Sequence, residues 1–84
     1  MAPTSAAEVD AALRRFDRAV AALDEVKAEY ALGVACRQRA RLYAQLGRMD
    51  QARADLVTAQ SCFAAVGAPD AVDVEGEATA VRRD

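Results

Sequence analysis

The sequence repeats itself at an offset of forty residues. Alanine lies over alanine, and a large apolar residue over a large apolar residue, at the pairs Ala12/Ala52, Phe16/Leu56, Ala19/Ala59, Leu23/Phe63, Val26/Val66, Ala28/Ala68 and Ala31/Ala71. A period of this length is typical of stacked helical pairs, in which each unit needs its neighbour to bury its apolar face. The repeat therefore predicts an all-α protein of antiparallel helical hairpins. Most proteins built in this way are scaffolds that bind other proteins.

Length and composition agree with this prediction. A chain of 84 residues forms one small domain that buries at most about 60–65% of the surface exposed when it is unfolded. The hydrophobic fraction is 54%, yet aromatic residues make up only 5%, and the many alanines favour closely approaching helices over a sheet.

Several functional classes are disfavoured by the same composition. Eleven basic and thirteen acidic residues give a net charge of −2, which lacks the basic excess of a nucleic-acid-binding protein. Histidine is absent and there is no glycine-rich phosphate loop, so we expect neither an enzyme nor a cofactor or metal site. The N-terminus has no signal-peptide pattern and no apolar stretch suits a membrane span, which predicts a cytoplasmic location away from membranes.

Two cysteines, Cys36 and Cys62, lie within helical patterns and far apart in sequence. We expect small buried thiols, with a disulfide or redox pair as the alternative.

The first predicted helix spans about 6–27, after an N-terminal tail of residues 1–5. Ser5 and Glu8 have the spacing of a capping box, which satisfies amide donors at a helix start. The following apolar residues alternate spacings of four and three and so share one stripe: Val9, Leu13, Phe16, Val20 and Leu23. We expect this stripe to pack in the core; a short coiled coil is the alternative.

Further helices are predicted at about 30–46 and 50–66. A turn at 27–30 is expected because this segment aligns with Gly67-Ala68-Pro69, a strong helix stop; one continuous helix is the alternative. Gly47 is expected to end the second helix and Asp50 to cap the third. The third helix has the apolar stripe Met49, Ala52, Leu56, Ala59, Phe63 and Val66.

Within 30–66 the chain resembles a tetratricopeptide repeat. The family's small residue, aromatic, glycine, turn, alanine, large apolar and second alanine fall on Ala40, Tyr43, Gly47, Met49, Ala52, Leu56 and Ala59. The longer period, with the tail of residues 62–68, is similar to extended repeats in large bacterial signal-transducing regulators. Two departures are Arg39, where the family usually has leucine, and Lys27, where it has the turn glycine. Residues 8–29 resemble the second helix of a preceding repeat.

The resemblance implies a protein or peptide partner, held in a groove lined by the second helix. Its groove positions here are Val34, Arg37, Gln38, Arg41, Ala44 and Gln45. Arg37, Arg41 and Gln45 stand four apart and share one face, and guanidinium groups bind carboxylates bidentately, so an acidic partner is expected. The alternative is an ordinary solvated helix face.

The domain of residues 6–69 is followed by an acidic segment, 70–84, with Asp70, Asp73, Glu75 and Glu77. It is expected to be a short fourth helix or disordered; alternatively it folds onto the arginine face of its own chain or of a second copy.

Because about one and a half repeats are fewer than the three that stable arrays need, we also expect association into a homodimer or with a partner. The overall expectation is a scaffold in a bacterial regulatory or assembly context. The alternatives are an oligomerisation module or a small accessory subunit of an enzyme or regulator complex.

Overall fold

Four helices follow one another along the chain. The computed structural model describes residues 5–82, and its helices are α1 (Ala6–Glu25), α2 (Glu29–Gln45), α3 (Met49–Ala65) and α4 (Asp70–Arg82). No strand occurs within these residues. Each helix packs antiparallel on the next, α1 on α2, α2 on α3 and α3 on α4, which confirms the predicted all-α fold of helical hairpins. The predicted N-terminal tail, apart from Ser5, and residues 83–84 lie outside the described residues.

The three turns between the helices have the same geometry. In each, one residue adopts a left-handed backbone, Lys27 (φ 59°), Gly47 (φ 77°) or Gly67 (φ 68°). The N–H of the next residue donates to a carbonyl five residues back, from Ala28 to Leu23 at 3.0 Å, from Arg48 to Tyr43 at 2.9 Å and from Ala68 to Phe63 at 2.8 Å. These are Schellman motifs, which end a helix by satisfying its last carbonyls. The turn at Lys27 rules out one continuous helix.

Two helix starts differ in how they are capped. Ser5 Oγ accepts the N–H of Glu8 at 3.2 Å, which is the serine half of the predicted capping box. The prediction that Asp50 caps α3 was wrong, because the preceding turn leads directly into the helix. Arg48 is the N-cap residue without a side-chain hydrogen bond, and its carbonyl already accepts the N–H of Ala52 at 3.0 Å. Asp50 lies in the first turn, where it pairs with Arg53.

The core lies between α2, α3 and α4, with α1 covering one side. Its buried members are Leu32, Cys36, Ala40, Ala52, Leu56, Ala59, Cys62, Phe63 and Val74, and Val20 and Leu23 of α1 pack against them. The stripe of α1 is therefore used in the core, as expected, and not in a free coiled coil. Gly33 lies directly under Phe63, where a Cβ would come within 2.7 Å of Cε1. Val66, which was placed on the stripe of α3, is instead 49% exposed, because it lies at the C-cap beyond the last helical turn.

Both cysteines are buried and free, which confirms the first of the two expectations for them. Burial raises the pKa of Cys36 to about 11 and also raises the pKa of Cys62. Among the described residues, no helix combines the length and apolar character that a membrane crossing requires.

Candidate functional site

The arginine face of α2 holds a carboxylate from α4. Arg37 Nε donates to Glu77 Oε2 at 2.8 Å. Arg41 donates to Glu77 Oε1 from Nε at 3.1 Å and from Nη2 at 2.7 Å. One turn of helix separates the two arginines, so both guanidinium groups reach the same acid. We call Arg37 and Arg41 the arginine clamp.

Glu77 is ionised in this position. Burial alone would raise its pKa, but the hydrogen bonds from Arg41 and Arg37 outweigh that effect and lower it. The side chains of Glu77 and Arg37 are 29% and 21% exposed, whereas that of Arg41 is 57% exposed. The clamp therefore combines one sheltered guanidinium and one that solvent reaches.

A second contact between α2 and α4 has the same sequence offset. Tyr30 Oη donates to Asp70 Oδ2 at 3.0 Å, and Tyr30 and Asp70 are forty residues apart, as are Arg37 and Glu77. Two such contacts, one near the start and one near the middle of each helix, require α2 and α4 to run side by side in the same direction. The residues joined by these two contacts are therefore separated in sequence by one period of the repeat.

The remaining predicted groove residues lie around the clamp without contacting Glu77. Val34 and Ala44 are half-buried and pack against the core, and Gln38 and Gln45 are exposed. Of the acidic segment, Asp70 and Glu77 contact α2 of the same chain. The structure therefore brings together Arg37 and Arg41 as predicted, and supplies an acid from the chain itself.

A buried ion pair on the opposite side of α2 was missed by the sequence prediction. Arg39 binds Asp55 of α3 through two hydrogen bonds, Nε to Oδ2 and Nη2 to Oδ1, both 2.7 Å long. Its Nη1 also donates to Asp17 of α1 at 2.9 Å. The hydrogen bonds that Arg39 donates to Asp55 raise the pKa of Arg39 despite the opposing effect of burial. Arg39 stands where the resembling family has leucine, and that departure was the one available signal for this pair.

An open cavity of about 340 Å³ lies beside this ion pair, between α1, α2 and α3. Its lining residues are Asp17, Val20, Ala21, Asp24, Leu32, Cys36, Arg39, Asp55 and Thr58. The guanidinium is already neutralised by Asp55, and the Cys36 thiol keeps its proton at neutral pH because its pKa is about 11. Since the thiolate is the reactive form of cysteine, these groups are suited to packing and not to nucleophilic chemistry.

No protein-family model, curated protein or solved structure matches the chain.

Proposed function

We propose that this chain is a tetratricopeptide-like protein-interaction module that binds an acidic segment of a partner protein at the arginine clamp. The observation that supports this most directly is the capture of Glu77 by both Arg37 and Arg41. It is an example, within the chain, of the kind of ligand that the clamp accepts: a carboxylate presented by a helix.

The clamp keeps binding capacity after Glu77 is bound. Two positive charges face one negative charge, which leaves a local charge of +1. In the described contacts Glu77 uses Nε of Arg37 and Nε and Nη2 of Arg41, whereas each guanidinium group has five N–H donors. A carboxylate from a partner therefore binds the remaining donors, beside the exposed amides of Gln38 and Gln45.

The tetratricopeptide-like part of the proposal is supported by the side-by-side arrangement of α2 and α4. Contacts between residues forty apart are expected when successive repeats stack in register. The shared Schellman turns at positions 27, 47 and 67 add a regular alternation of helix and turn to this arrangement.

The test is affinity capture from the source cell with three forms of the chain as bait. The clamp variant is Arg37→Gln/Arg41→Gln, and the matched control is Lys27→Gln/Arg48→Gln, which removes two exposed positive charges at the turns. We expect the wild type and the control to capture the same proteins and the clamp variant to lose them. Charge-assisted hydrogen bonds contribute about 1.5–3 kcal/mol each, against about 0–1 kcal/mol for exposed ion pairs, so the loss should exceed tenfold in affinity.

Glu77→Gln separates partner binding from the docking of α4. It removes the internal carboxylate and leaves both arginines, so partner affinity should be kept or raised. Equal capture by the clamp variant and the wild type, measured with folded proteins of unchanged circular dichroism, would return Arg37 and Arg41 to the ordinary solvated surface.

A further inference from the structure

We infer that copies of this chain associate head to tail, with α1 of one copy packing on the exposed face of α4 of the next. This inference rests on the repeat register and on charge.

The exposed face of α4 corresponds to a face that is buried in α2. Leu32 of α2 is 5% exposed, whereas Val72, forty residues later, is 73% exposed. The next positions behave alike: Ala35 and Cys36 are buried, and their counterparts Glu75 and Gly76 are exposed. In α2 this face is covered by the helices on either side of it. In α4 the contacts within the described part of the chain come from α3 and, through Asp70 and Glu77, from α2, and they leave Val72, Glu75 and Gly76 exposed.

Helix α1 has the matching surface. Its counterpart in the repeat is α3, which meets α2 through Asp55, bound to Arg39, and through Cys62, which is buried in one cluster with Leu32 and Cys36. Forty residues before Asp55 and Cys62 are Arg15 and Ala22. Both are exposed on α1, and seven residues, or two helical turns, place them on one face. Helix α1 therefore presents to solvent the positions that α3 uses to pack on α2.

Opposite charges are available on the two helices. On α4 the exposed acids are Asp73 and Glu75, since Asp70 and Glu77 are bound by α2. On α1 the exposed arginines are Arg14, Arg15 and Arg18, and the acids of that helix are Glu8, Asp10, Asp17, Asp24 and Glu25. The same register places Arg37 of the next copy beside Glu77, on the side opposite to Arg37 of its own chain. A carboxylate has about four acceptor sites, so Glu77 has capacity for this further donor. Arginine and glutamate then alternate along the stacked helices.

The two surfaces differ from each other, and this determines the kind of assembly. After each copy is added, one α1 surface and one α4 surface remain free at the two ends of the assembly. Copies can therefore continue to add and form an open chain, unlike a two-fold dimer. One position weakens the joint relative to the contact of α2 with α3. In the contact of α2 with α3, Phe63 lies close against Gly33. The corresponding residues in the contact between copies are Leu23 of α1, which is smaller than Phe63, and Asp73 of α4, which is larger than Gly33.

The test is sedimentation equilibrium of the purified chain over a range of micromolar concentrations. The weight-average mass of the wild type should rise past that of a dimer. Val72→Arg places a bulky charged side chain where its counterpart Leu32 is buried, and Ala22→Glu places one where its counterpart Cys62 is buried. Each variant alone should fall to the mass of one chain. Val57→Arg, at a valine of α3 that is 55% exposed, is the matched control and should assemble like the wild type.

Mixing the two variants gives the decisive result. The Val72→Arg chain keeps an intact α1 surface and the Ala22→Glu chain keeps an intact α4 surface, so the two chains should associate with each other in an equimolar mixture. Both positions are exposed, and unchanged denaturation midpoints would show that the variants fold. A wild type that stays monomeric, variants that still assemble, a control that fails to assemble, or a mixture that stays monomeric would each overturn the inference.

Discussion

Removing the carboxylate of Asp55 is expected to destabilise the protein by about 3 kcal/mol. The substitution Asp55→Ala breaks both 2.7 Å hydrogen bonds to Arg39 and leaves a guanidinium whose side chain is only 18% exposed. Breaking one partner of a buried ion pair costs about 3–5 kcal/mol, because the other charge stays buried without compensation. We expect the lower end of this range, since Asp17 still accepts from Arg39 at 2.9 Å.

The size of this loss matters for a chain of 84 residues, whose total stability is about 4–13 kcal/mol at typical values per residue. The assay is urea unfolding followed by far-UV circular dichroism, with linear extrapolation to water. Arg39→Leu, which places the leucine of the resembling family at this position, should cost a similar amount because Asp55 is then buried alone.

The double variant Arg39→Leu/Asp55→Ala distinguishes this explanation from simple loss of packing. Replacing both members of a buried pair with apolar residues is often neutral or stabilising, so the double variant should be more stable than either single variant. The coupling energy from the double-mutant cycle should therefore exceed about 3 kcal/mol in magnitude. Additive losses, with a coupling energy below about 0.5 kcal/mol, would refute the assignment of Arg39 and Asp55 as an energetically coupled pair.

Three further predictions concern α4 and the backbone. The folded pKa of Glu77 is lowered, so its stabilising effect is complete above its unfolded pKa of about 4.3 and is lost as the pH falls through the lower folded value. The hydrogen-exchange protection factors of the α4 amides should therefore fall in acid, and Glu77→Gln should remove that dependence. Gly33→Ala should lower the free energy of unfolding by about 1–3 kcal/mol, because its Cβ overpacks against Phe63. Gly76→Ala should raise it by about 0.5–1 kcal/mol, because nothing lies within 4 Å of the added Cβ. Urea midpoints that shift in the same direction for both variants would contradict the close approach at Gly33. Lys27→Gly should stabilise the protein by about 0.5–1 kcal/mol, because a left-handed backbone is strained in lysine and not in glycine. An unchanged or lower melting temperature of this variant would show that the turn stores no strain.

The sequence by itself determined the all-α fold, the order of the helices and the sites of the turns. Most of these features depend on residues close together in the chain, whereas the turn at 27–30 was predicted from its alignment with Gly67-Ala68-Pro69, forty residues later. The three-four spacing of apolar residues in α1 defines a stripe without reference to any other helix. Glycine at positions 47 and 67 ends its helix through a backbone conformation that is intrinsic to the residue. The same local rules placed Arg37 and Arg41 on one face, because their separation is one helical turn.

Only the tertiary structure decided which charged residues meet. Asp55 lies next to Leu56 in sequence, and no local pattern indicates that its partner is Arg39, sixteen residues earlier. Likewise, the sequence left the acidic segment open between disorder and docking, and the structure brings Glu77 to the arginine clamp. The physical reason is that pairing between helices depends on their rotation and register. Both are set by how the side chains of the core interlock, here by Phe63 over Gly33 and by the burial of Val74.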